Sequence, residues 1–193
     1  MPAITRDSLL TLEAYAKERK AFRARVLAHK RDRTIHVGEH VTLLFEDELT
    51  IRYQIQEMLR IEKTFEEAGI QEELEVYNPL VPDGRNLKAT MLIEYENVDE
   101  RRDALARLRG IEDAVYVRVE GFPDVRAIAD EDLERETDDK TSAVHFVRFE
   151  LTPAMIAAFR DGRDVAVGID HPEYRAQVTL SPASRAALAA DFA

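Results

Sequence analysis

Glycine and proline are spread unevenly along this chain, and their placement constrains the fold more than any other feature. Residues 3–37 and 39–68 contain neither, whereas from Gly69 onward one or the other recurs to the C-terminus. Breaker-free stretches of that length favour helices, and frequent breakers favour short elements joined by turns. The spacing predicts a first helix from about Asp7 to His29, capped by Thr5 or Ser8, with an apolar stripe of Leu9, Leu12, Tyr15, Ala16, Phe22 and Val26. Gly38 separates two short strand-like runs, Thr34–Val37 and Val41–Phe45. A second helix is expected from about Glu48 to Ala68 with Gly69 just past its end, and a short one from Gln71 to Tyr77.

Beyond Pro82 the pattern shortens. Leu87–Tyr95, Ala114–Val119, Asp124–Ala129, Ala143–Leu151, Val165–Ile169 and Ala176–Leu180 read as strands. A helix over Asp99–Arg109 is expected behind Asn97 or Asp99. Thr152-Pro153 and Ser181-Pro182 each place a cap before a proline at the first turn, which opens a helix. Strands joined by short turns favour antiparallel pairing. The expected class is α+β: a largely antiparallel sheet with helices packed on one face and long N-terminal helices across it. One domain over residues 1–193 is expected, with the acidic run 130–139 as its one break.

The chain has no cysteine, which removes disulfides, thiolate metal sites and cysteine nucleophiles. No apolar run reaches the length of a signal core or a membrane span, so a cytoplasmic, non-membrane protein is expected. The net charge is −11. Residues 17–33 hold eight basic side chains against Glu18 and Asp32, so a segment of +6 sits on a body of −17. That balance disfavours general nucleic-acid binding and suits a protein partner. A homodimer is also open.

Several side chains could carry chemistry. At helical spacing Ile51, Ile55, Met58, Leu59 and Phe65 share a face, with Glu62 in its middle and Gln54 at its edge. A carboxylate on a buried stripe needs a partner, and Arg19 and Arg23, one turn apart on the first helix, are the expected ones. The alternative for those arginines, together with Arg60, is an anion or nucleotide site. His36 and His40 flank Gly38, where paired strands would bring them together beside Glu46 as a metal site. Carboxylates and histidines drawn from Glu46, Glu57, Glu62, His145 and His171 are the set for a divalent metal, although no cofactor is required by any motif. His145, in an apparent central strand, reads more simply as a satisfied core imidazole. No GxSxG, P-loop, GxGxxG, HExxH or EF-hand pattern occurs.

The runs LEAYAKERKAFR, VTLLFEDELTIRYQIQEMLRIEK, ELEVYNPLVPDG, LKATMLIEY and GIDHPEY resemble the bacterial family catalogued as a domain of unknown function, DUF3501. Phe45-Glu46 followed by YQIQEMLR is the most specific part, and the resemblance covers nearly the whole chain. It implies a redox or peroxide-stress setting, because genes of that family often neighbour rubrerythrin-like proteins and iron–sulfur oxidoreductases. It implies no catalytic residue. The leading expectation is therefore an accessory or interaction protein of a redox system, ahead of a metal-dependent enzyme or metal-binding protein, and of an anion binder.

Overall fold

The computed structural model describes residues 3–131, 135, 137 and 139–193. Thr5 caps only a 3-10 turn, Arg6–Ser8, and the first long helix, α1 (Leu12–Arg31), starts later, where the Thr11 hydroxyl accepts the Ala14 N–H at 3.2 Å. Only Tyr15 and Val26 of its twenty residues are buried, so α1 lies on the surface. Strands β1 (Thr34–Val37) and β2 (Val41–Phe45) form the hairpin around Gly38.

Asp47 then caps α2 (Glu48–Glu62) in a reciprocal box: Thr50 N–H donates to Asp47 Oδ1, and Asp47 N–H donates to Thr50 Oγ1, both at 2.9 Å. Ile51, Ile55 and Leu59 face inward. The helix ends well short of Gly69. Lys63 adopts a left-handed backbone (φ 55°), and the N–H groups of Lys63 and Thr64 both return to Leu59 O. Phe65, expected on the buried stripe, is therefore 74% exposed. Gly69 falls inside α3 (Glu67–Tyr77), where a Cβ would come within 2.6 Å of Thr64 Cγ2.

The remaining elements are β3 (Asn86–Ile93), α4 (Val98–Arg107), β4 (Val115–Val119), β5 (Val125–Arg126), β6 (Ile128–Ala129), β7 (Val144–Glu150), α5 (Pro153–Arg160), β8 (Val165–His171), β9 (Tyr174–Thr179) and α6 (Pro182–Ala189). Asn97, Thr152 and Ser181 cap α4, α5 and α6 as their positions suggest. Every strand pair is antiparallel, so the class is α+β.

The strands form two sheets rather than one: β1-β2-β3-β7-β6 and β5-β4-β8-β9. Their facing sides share the main core, with Leu43, Phe45, Met91 and Phe149 on one side and Val117 and Val167 on the other. The expected strand Asp124–Ala129 is split between them, since β5 pairs with β4 and β6 with β7. Gly168 lies opposite Tyr116, and a Cβ there would be 2.4 Å from the tyrosine ring, so the sheet needs glycine at that point. A second, smaller core joins Ile51, Ile55 and Leu59 of α2 to Ile70 and Leu74 of α3 and to Ile4 and Leu9. No helix among the described residues is long and apolar enough to cross a membrane. Of the acidic run 130–139, residues 132, 133, 134, 136 and 138 lie outside the described residues.

Candidate functional site

The contact between α1 and α2 is made by Glu57, and Glu62 has no part in it. Arg19 Nε and Nη2 donate to the two carboxylate oxygens of Glu57 at 2.7 and 2.8 Å, Tyr15 Oη donates at 2.6 Å and Arg60 Nη2 at 3.2 Å. The hydrogen bond from Arg19 is the main cause that holds the Glu57 carboxyl down at about 2. Burial and the neighbouring carboxylate push the Tyr15 phenol up. Arg19 and Arg60 thus converge on an internal carboxylate, which corrects the expectation of an anion site there. Glu62 and Arg23 are exposed and Gln54 is half-buried. The inward reading of Glu62 fails because α2 ends at that residue and the chain turns away at Lys63.

The expected metal ligands Glu46, His145 and His171 are not gathered either. The Glu46 carboxylate accepts hydrogen bonds from Thr50 Oγ1 (2.5 Å) and Thr90 Oγ1 (2.7 Å). His171 closes the β8–β9 turn, donating from Nε2 to Arg109 O (2.9 Å) and accepting Glu173 N–H at Nδ1 (3.2 Å). His36 is opposite Thr42 in the register, not opposite His40, and His40 stacks on Tyr95 with ring centroids 3.9 Å apart.

Arg33, part of the basic run, is 1% exposed. Its guanidinium donates to Phe45 O, Glu46 O, Ala187 O and the Asp191 carboxylate, and lies 3.5 Å from Asp47 Oδ2. His29 Nε2 meets the same Asp47 oxygen at 2.5 Å. Burial opposes ionisation of Asp47, but Arg33, the Thr50 N–H and His29 together hold its pKa below the usual range. Burial prevails at Asp191 and pushes it up to about 6 despite Arg33. This cluster ties the end of α1 to β2 and to the C-terminal segment.

A cavity with a largely apolar lining lies elsewhere, on the outer face of the larger sheet. Alternation along β3 and β7 sends Ala89, Val147 and Phe149 toward the core and Lys88, Thr90, Phe146 and Arg148 outward. The end of α3 and the 3-10 turn after it line, with that face, a half-open cavity of about 660 Å³. Val76, Tyr77, Pro79, Leu80, Ile128 and Phe146 supply an apolar lining, the composition expected of small-molecule sites. Its charged groups are mostly paired. Arg148 is gripped by Glu131 through two bonds of 2.8 Å and by Glu150 at 2.5 Å, and Arg135 lies 3.2 Å from Asp130 and over the Phe146 ring. Lys88 differs. Its ammonium donates to Pro79 O at 2.5 Å, and among the described residues no carboxylate forms an ion pair with it. Burial lowers its pKa, and Asp83, Glu131 and Glu150 pull the other way without prevailing. Sequence reasoning missed Lys88. The available signal was that Lys88, between Leu87 and Ala89, is the single charged residue of β3.

A second polar cluster sits at the seam between the sheets. His145 is fully buried at the start of β7, with Nδ1 2.5 Å from Asp130 Oδ2 and Nε2 2.9 Å from Thr141 Oγ1. Glu112, just before β4, brings Oε2 to 3.9 Å from Nε2. One ligating atom from each of Glu112, Asp130 and His145 lies within 4.8 Å of the others.

The molecule is therefore an α+β protein of two antiparallel sheets, with a half-open cavity on the outer face of one of them. It belongs to the family described as protein of unknown function DUF3501, whose model matches residues 3–192. A crystal structure of a protein of unknown function from Burkholderia pseudomallei K96243 is similar over 100% of both chains, at 60% identity and a TM-score of 0.95. No curated protein matches the chain.

Proposed function

We propose that this is a small-molecule-binding protein, and that its cavity takes a ligand with an apolar body and one anionic group, such as a carboxylate. The observation that carries this reading is Lys88: a half-buried ammonium in a largely apolar cavity, hydrogen-bonded to a backbone carbonyl and, among the described residues, in no ion pair with a carboxylate. An ammonium in that setting is stabilised by an incoming anion, and a charge-assisted bond of this kind contributes about 1.5–3 kcal/mol. The apolar lining would bury the ligand's body. Among the described residues no group in the cavity is arranged as a nucleophile with its base, and the reading offered is therefore one of binding. The role of accessory protein in a redox system stays compatible with a bound small molecule, but it rests on the family resemblance alone.

Isothermal titration with octanoate and with octanol tests the reading. One octanoate per chain is expected, bound more tightly than octanol, with Lys88→Met weakening octanoate about tenfold or more. Absence of octanoate binding, or equal affinity for the two ligands in both proteins, would overturn it.

A further inference from the structure

The seam cluster at His145 is built from different residues from the cavity, and its geometry points to a cation. We propose that it binds one divalent first-row metal ion, ligated by His145 Nε2, a Glu112 carboxylate oxygen, the Ser142 carbonyl and the Thr141 hydroxyl. Asp130 is the positioning residue that holds the ring through Nδ1.

Distances carry the argument. Around Nε2 stand Thr141 Oγ1 at 2.9 Å, Ser142 O at 3.0 Å and Glu112 Oε2 at 3.9 Å. Donor atoms held about 2.1 Å from a metal ion stand roughly 3.0–3.4 Å apart along the edges of an octahedron or tetrahedron. Two of the three separations lie close to that range, and Glu112 is within a side-chain adjustment of it. Thr141 Oγ1 also stands 3.4 Å from Glu112 Oε2, so the hydroxyl links the Nε2 atom to the carboxylate.

The opposite side has its own function. Asp130 Oδ2 meets Nδ1 at 2.5 Å, while Asp130 Oδ1 accepts the Phe146 N–H at 3.1 Å and pairs with Arg135. An imidazole that ligates a metal through one nitrogen characteristically donates its other N–H to a fixed carboxylate, which sets the tautomer and the ring orientation. Asp130 supplies that here from a backbone with φ 48°.

With Nδ1 donating to Asp130, a neutral ring turns its Nε2 lone pair toward both the Thr141 hydroxyl and the Ser142 carbonyl, and only the hydroxyl can donate to it. A metal ion resolves that opposition. One nitrogen among three oxygens suits ions that accept both imidazole and carboxylate, and Mn²⁺ and Zn²⁺ are the probes of choice.

Full-length protein treated with chelator and dialysed is titrated with Mn²⁺, followed by electron paramagnetic resonance, and with Zn²⁺ by calorimetry. The expected result is one ion per chain, with imidazole ¹⁴N coupling in the Mn²⁺ echo-modulation spectrum. Glu112→Gln should weaken uptake at least tenfold. Asp130→Asn should weaken it about 10- to 100-fold while the nitrogen coupling persists. No stoichiometric uptake of either ion overturns the proposal. So does bound Mn²⁺ without nitrogen coupling in the wild-type chain, or affinity unchanged in a folded Glu112→Gln protein. The wild-type spectrum decides even where a variant fails to fold.

Discussion

Glu57 gathers three donors from two helices, whereas Glu62, five residues on, is exposed where α2 stops. Losing a charge-assisted acceptor with partners left behind costs more than losing a solvated charge. Glu57→Gln is expected to destabilise the protein by about 2 kcal/mol in urea unfolding, and Glu62→Gln to change stability by less than about 0.5 kcal/mol. Helical spacing led to the expectation that Arg19 or Arg23 would meet Glu62 between the first two helices, whereas Arg19 meets Glu57. It chose the wrong carboxylate because it extended α2 past its true end, and angular position has meaning only while the helix continues. Asp191 gives a test in pH. Its folded pKa of about 6 lies above that of an unfolded aspartate, so the native state holds the proton more tightly. That contribution is fully present below about pH 4 and is lost as the pH rises through about 6. Denaturant unfolding from pH 4 to 7 should show this loss superimposed on the other titrations, and Asp191→Asn should remove it. Glu57 works in the opposite sense: its contribution is present above the unfolded carboxylate pKa and disappears as the pH falls toward 2.

Elements were legible wherever the chain announces its ends. Asp47 before α2, Asn97 before α4, and the Thr-Pro and Ser-Pro pairs before α5 and α6 all put a side-chain oxygen where free N–H groups need one. The end of α2 was hidden, because the left-handed terminal position is held by Lys63 and not by glycine. A side chain in that conformation carries strain, so Lys63→Gly is expected to raise stability by about 0.5–1 kcal/mol, measured by thermal or urea unfolding. Unchanged or lowered stability would mean that the lysine side chain compensates. The division of Asp124–Ala129 was not legible either. Alternation of side chains shows that a segment is extended, but not that Arg126 joins one sheet and Ile128 the other.

At the scale of the molecule, the α+β class follows from the distribution of breakers, and the second sheet does not. Which strands pair is decided by contacts distant in sequence, such as Val115 with Ile169 across β4 and β8. The candidate site lies still further from local signals. The cavity lies between the outward side chains of β3 and β7 and the end of α3 with the turn after it, and Val76 and Ile128 stay partly exposed along it. Lys88 enters that space only through the pleat of β3, and no spacing rule marks it. The His145 seam was half visible, since the histidine stood out in a core strand, while Glu112, Asp130 and Thr141 reach it from separate loops. The charge state of Lys88 tests the account most directly. Nuclear magnetic resonance of the isotope-labelled lysine ε-position should show Lys88 titrating below the ordinary lysine value in the free protein, because burial disfavours its charge, and moving upward when octanoate binds. An ordinary pKa that octanoate leaves unmoved would contradict a desolvated ammonium awaiting an anion.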